Sequence, residues 1–130
     1  MLIYIGKLTK SKLGKYNNKI LTDEVVLTNE RIMEHILKKH LVDYNELRDY
    51  IKEIIENPDY IIEDNKHFDT IILLKYINCV DKFGRVVVKL VLETDEKHPK
   101  NSIITLMKLN KRTWNQTIKN RGKIIFDKTK

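Results

Sequence analysis

Thr70-Ile71-Ile72-Leu73-Leu74-Lys75-Tyr76-Ile77, Arg85-Val86-Val87-Val88-Lys89-Leu90-Val91-Leu92-Glu93-Thr94 and Ser102-Ile103-Ile104-Thr105-Leu106-Met107-Lys108-Leu109 are the stretches that decide the fold. β-Branched and aromatic side chains dominate them, and such side chains fit the pleated surface of a strand better than the crowded face of a helix. Short polar links such as Lys82-Phe83-Gly84 separate them. A fourth run, Tyr60–Glu63, reaches Thr70 through Asp64-Asn65-Lys66, and four strands joined by short links predict an antiparallel meander.

Upstream of Tyr60 the hydrophobic period becomes helical. Ile32, Met33, Ile36, Leu37 and Leu41 predict a helix over residues 29–41, with Thr28 or Asn29 as its N-cap. Asp43 followed by Glu46 has the form of a capping box, and Leu47, Tyr50, Ile51, Ile54 and Ile55 form the stripe of a second helix. Asn57-Pro58 ends it, because the residue before proline is pushed out of the helical region. Residues 2–8 and 24–27 read as short strands, with a basic loop running to Lys19. Downstream, Asn110 caps a short helix carrying Trp114 and Ile118, Gly122 stops it, and residues 123–127 form a last strand. The expected class is α+β, with the N-terminal helices packed on one face of a twisted antiparallel sheet of about four strands.

A length of 130 residues with 42% hydrophobic content suits one domain over residues 1–130, of which 1–19 form a basic N-terminal strand and loop. The net charge of +7 is unevenly spread. Residues 1–19 carry five lysines and no acid, residues 20–96 carry ten basic against seventeen acidic side chains, and residues 97–130 carry ten against one. Basic ends on a folded domain suit a polyanion, since neutralising phosphates releases counterions; a lysine-rich genome explains the abundance equally well, but not the segregation. The lone Cys79 has no disulfide partner, and neither a signal-type segment nor a long apolar span precedes the domain. A soluble, cytoplasmic protein without a membrane partner is expected.

Arg31-Ile32-Met33-Glu34-His35-Ile36-Leu37-Lys38-Lys39-His40 is the richest chemical stretch. Histidine exchanges protons near neutral pH, and fixed cations beside it suit an anionic substrate such as phosphate. At about 100° per residue, Arg31 and His35 share a side with Lys38 and Lys39 flanking, whereas His40 lies about 140° away and is expected to face the sheet. His40 is then either a hydrogen-bonded core residue or a group on an active-site floor. On the strand of Arg85, Lys89 interrupts an apolar run, as an edge guard or as a phosphate-binding cation. Alternation places Ser102 and Lys108 on one face and Thr105 on the other, so Ser102 and Thr105 cannot share a site unless the strand bulges.

Trp114, close to Lys111, Arg112, Lys119 and Arg121, either stacks a nucleobase while the cations hold phosphates or anchors its helix to the sheet; Tyr60 and Tyr76 read as strand packing. The histidines are not four apart, no HExxH is present and the glycines are isolated, so neither a metal site nor a phosphate-cradling glycine loop is expected.

Arg31-Ile32-Met33-Glu34-His35-Ile36 with His40, Asn57-Pro58-Asp59-Tyr60-Ile61-Ile62, Val86-Val87-Val88-Lys89-Leu90 and Asn101-Ser102-Ile103-Ile104-Thr105, taken in order, resemble the phage-barnase-EndoU-colicin-RelE-like nuclease domains of phage and mobile-element polyvalent proteins. The resemblance spans about residues 20–127. It implies a ribonuclease fold of helix plus four-stranded sheet and metal-independent RNA cleavage without a cofactor. Taken with the reading of the residues above, it leaves His35, His40, Lys89, Arg31 and Thr105 as catalytic candidates, and Lys38, Lys39, Ser102, Lys108, Lys111, Arg112 and Trp114 as RNA-binding ones. RNA, tRNA included, is the implied partner, and a toxin of this kind leaves room for an immunity or antitoxin protein. Two alternatives stand beside it: a non-catalytic RNA- or protein-binding module with the same fold, and a phage-associated protein acting on a host protein.

Overall fold

The structure is a computed structural model that describes residues 2–92, 100–120 and 123–129. The four expected strands form the central meander: β3 (Tyr60–Glu63), β4 (Thr70–Ile77), β5 (Lys82–Lys89) and β6 (Asn101–Leu109), each antiparallel to the next. The sheet is nevertheless larger than four strands. β1 (Leu2–Lys7) and β2 (Glu24–Thr28) extend it beyond β6, and β7 (Ile124–Asp127) adds to β3, giving the order β1-β2-β6-β5-β4-β3-β7. β2 runs parallel to β6, so the sheet is mixed.

Two boundaries depart from expectation. Lys82-Phe83-Gly84 belongs to β5, and the reversal lies one step earlier, where Asp81 adopts the left-handed conformation (φ 52°) that Asp tolerates better than most residues. β5 stops at Lys89, short of the expected residue 94, because the chain then bonds elsewhere: the Leu90 N–H donates to the Asp69 carbonyl and the Val91 N–H to the Asn101 side chain. Glu93, Thr94, Arg121 and Gly122 lie outside the described residues.

One kinked helical run, α1 (residues 29–56), replaces the two separate helices. Thr28 caps it by accepting the Arg31 N–H at 3.0 Å. The run is π-helical over Ile32–Ile36, non-helical at His40 (φ −136°, ψ 37°) and α-helical again over Ile51–Glu56 before Asn57-Pro58 ends it. The capping box goes unused. The Asp43 carboxylate instead accepts the Lys108 N–H at 3.1 Å, and Glu46 pairs with Lys82 and Lys108, tying α1 to the sheet. Being half-exposed, these pairs are screened by solvent and position the helix more than they stabilise it.

α1 covers one face of the sheet. Ile32, Ile36, Leu47, Ile51, Ile54 and Ile55 are buried against Val25, Ile71, Leu73, Val86, Val88 and Leu106. Each fully buried aliphatic side chain is worth about 1.5–3 kcal/mol relative to exposure. Met33 and Leu41, expected in this stripe, are 56% and 50% exposed, since the π-turn and the kink shift the helical phase beneath them. Gly84 admits the helix: a Cβ there would sit 2.7 Å from Ile54 Cδ1. On the opposite face α2 (Lys111–Asn120) packs Trp114 against Tyr60 and Phe83, with the Asn110 side chain capping it through the Thr113 N–H as expected. Among the described residues no helix is long and apolar enough to cross a membrane.

Candidate active site

Strand register assembles the site. Ser102 lies opposite Lys89 on β5 and opposite Val26 on β2, so the middle of β2, the end of β5 and the start of β6 meet at one rim of the sheet. α1 leaves that rim directly after Thr28, and Arg31 is in its first turn. Thr28, Arg31, Lys89, Lys100 and Ser102 consequently line one cleft of about 310 Å³. A polar depression of about 350 Å³ shares Thr28 and Arg31 with it and continues to Glu30, Glu34 and His35.

The cleft is electropositive. Lys100 pairs with Glu24, whose carboxyl its hydrogen bond holds below the usual range. Among the described residues no carboxylate pairs with Arg31 or Lys89, which leaves two cations facing the cavity. β5 lies between β4 and β6, so Lys89 is no edge guard. His35 is half-buried, and burial, followed by the positive charges of Arg31, Lys39 and His40, pushes its pKa below the ordinary 6.5. At neutral pH its imidazole is therefore uncharged and able to accept a proton.

The two histidines meet, contrary to the α-helical projection. Their ring centroids are 6.0 Å apart and the planes cross at 65°. A π-turn closes on the fifth residue rather than the fourth, which brings side chains five apart toward one face, and the kink at His40 completes the approach. Half-buried beside His35, His40 is not a core residue under the sheet.

β6 does bulge. Ile103 pairs with Val88 and Thr105 with Val87, leaving one extra residue between them, so Ser102 and Thr105 fall on the same face as Lys89. Thr105 does not line the cleft; its Oγ1 is buried and, among the described residues, has no hydrogen-bond partner.

The other RNA-binding candidates separate. Lys38 and Lys39 are exposed on α1 beside His35. Lys108 is engaged by Glu46, and with Lys111, Arg112 and Trp114 it lies toward the far end of β6. Trp114, only 8% exposed and packed on Phe83 and Tyr60, anchors α2 rather than offering a free ring face. Among the described residues no three His, Cys, Asp or Glu side chains gather as metal ligands would.

Sequence reasoning missed Lys100 and Asn101. Asn101 is fully buried: its Oδ1 accepts the Val91 N–H at 2.8 Å, and its Nδ2 donates to the carbonyls of Thr22 and Glu24 at 2.7 and 2.9 Å. This one amide fixes β2, β6 and the segment after Lys89 around the cleft. An amide opening an apolar strand was the available signal.

No curated protein and no solved structure matches the chain. A family model does, over residues 4–127, and it joins every element from β1 to β7 that builds the cleft. The chain thus belongs to the family described as phage-Barnase-EndoU-ColicinE5/D-RelE like nuclease2, PBECR2.

Proposed function

We propose that this nuclease-family protein cleaves RNA by transesterification at the cleft between Arg31 and Lys89. The observation that carries the reading is the convergence of Arg31, Lys89, Lys100 and the Ser102 hydroxyl on one cavity that shares Arg31 with the pocket of an uncharged His35. A phosphodiester is the anion that such a groove fits, and RNA carries its own nucleophile in the 2′-hydroxyl next to each phosphate.

His35 takes the 2′-hydroxyl proton, and the oxygen attacks the adjacent phosphorus. As the new P–O bond forms, the bond to the 5′-oxygen breaks, and His40 supplies the proton that this leaving oxygen requires. Arg31 and Lys89 offset the charge growing on the non-bridging oxygens, with Ser102 donating alongside them. The products are a 2′,3′-cyclic phosphate and a free 5′-hydroxyl.

The pH profile tests these assignments. A base must be deprotonated, so activity is expected to fall as pH drops through the His35 pKa, with that limb below pH 6.5. Arg31→Gln removes a nearby positive charge that favours the uncharged ring, so His35 then holds its proton to higher pH and the acid limb moves up. Lys39→Gln shifts it the same way while sparing a cleft cation. An acid limb in the same place in both variants removes His35 as the base.

A further inference from the structure

β5 runs away from the cleft for seven residues, about 24 Å at the strand rise of ~3.4 Å, and ends beside a second cavity of about 750 Å³. This cavity holds three lysines, Lys82, Lys108 and Lys111, together with Tyr76, Phe83 and Asp81. Glu46 engages Lys82 and Lys108, while Lys111 is exposed at the start of α2. The aromatic rings form a ladder. Trp114 packs on Phe83 with centroids 4.9 Å apart, Phe83 packs on Tyr76 at 4.8 Å, and Tyr76 is the half-buried outer member. The Tyr76 hydroxyl donates to Asp81 at 2.7 Å, and Asp81 is the residue in the left-handed conformation, so a strained turn holds the outermost ring in place.

The two cavities also share a face of the sheet. Phe83, Arg85, Val87 and Lys89 alternate onto the face away from α1, opposite Leu109, Met107, Thr105 and Ser102 of β6. A cation thus stands at the cleft, another midway at Arg85, and an aromatic group at the far end.

We infer that the cavity beside Tyr76 is a base-stacking subsite for the same single-stranded RNA, several nucleotides from the phosphate that is cut. Every base offers a π-face, so stacking on Tyr76 holds the strand with little sequence preference, and Lys111 lies where it meets the backbone. Occupied sites of about 4–16 nucleotides are ordinary for aromatic and cationic grooves of this kind, and the separation of the cavities falls within that reach. The inference rests on the RNA reading above, but it concerns binding of long substrates and not the chemistry.

The test compares mixed-sequence RNA of about four and about twenty nucleotides as substrates for the whole chain. Tyr76→Leu removes the ring, and Tyr76→Phe keeps it while losing the bond to Asp81. Tyr76→Leu is expected to raise KM about tenfold for the long RNA and to leave the short one unchanged, with Tyr76→Phe retaining most of the wild-type KM. Unchanged KM for the long RNA, an equal loss on both lengths, or an equal loss in Tyr76→Phe overturns the subsite and leaves the nuclease reading standing. If the wild type cuts neither length, it is the nuclease reading that fails; the affinity of the two variants for the long RNA then decides the subsite by the same criteria.

Discussion

His35→Ala is expected to reduce RNA cleavage by about 10²–10⁴-fold, the ordinary contribution of a positioned proton-transfer group. The side chain is half-buried, so its loss leaves the core intact and the purified variant should unfold at nearly the wild-type temperature. His35 is singled out over His40 by its position in the depression that shares Thr28 and Arg31 with the cleft, and by the burial and cations that keep it uncharged. His40→Ala should also lower activity, because the leaving oxygen loses its proton donor. The two changes combined should cost less than the product of the separate losses, as groups that act as a unit do. Full activity in His35→Ala would remove His35 from the mechanism.

Asn101→Ala is expected to have the largest effect on stability. It breaks three hydrogen bonds at a fully buried position and strands the Val91 N–H and the carbonyls of Thr22 and Glu24. An unsatisfied buried group costs about 1–3 kcal/mol, and relaxation or water entry lessens the sum, so a loss of about 3 kcal/mol and a drop in Tm of roughly 10 °C are expected. Urea unfolding should show the midpoint falling at constant slope. Cleavage should fall as well even well below the new Tm, because the amide fixes the register of Ser102 and the exit of the chain after Lys89. A variant with unchanged Tm would show that another contact joins β2 to β6.

The central sheet was legible because Ile71, Leu73, Val86 and Val88 lie in runs whose composition admits little but strand. Its outer strands were recognised as short β-runs, but their place in one sheet was not, since the parallel pairing of Val25 and Val26 with Asn101 and Ser102 joins segments far apart in sequence and leaves no local mark. The site was legible in its residue types more than in its geometry. Arg31, His35, Lys89 and Ser102 stood out as polar groups next to apolar runs, and the fold gathers them around the adjoining cleft and depression. The relation of His35 to His40 was misjudged because a regular 100° step was applied to a segment that takes a π-turn and a kink, neither announced by a proline or glycine. The shared face of Ser102 and Thr105 depended on a bulge, which alternation alone cannot place. Trp114 and Lys108 carried the right chemistry for RNA, but packing on Phe83 and pairing with Glu46 occupy them.

One measurement tests the central claim most directly: purified protein incubated with mixed RNA and tRNA in EDTA, with the fragment ends identified by mass spectrometry. Transesterification at the Arg31–Lys89 cleft predicts fragments ending in 2′,3′-cyclic phosphate with 5′-hydroxyl partners, formed by the wild type and lost in His35→Ala. Fragments bearing 5′-phosphate and 3′-hydroxyl ends, cleavage that EDTA abolishes, or intact RNA throughout would contradict it.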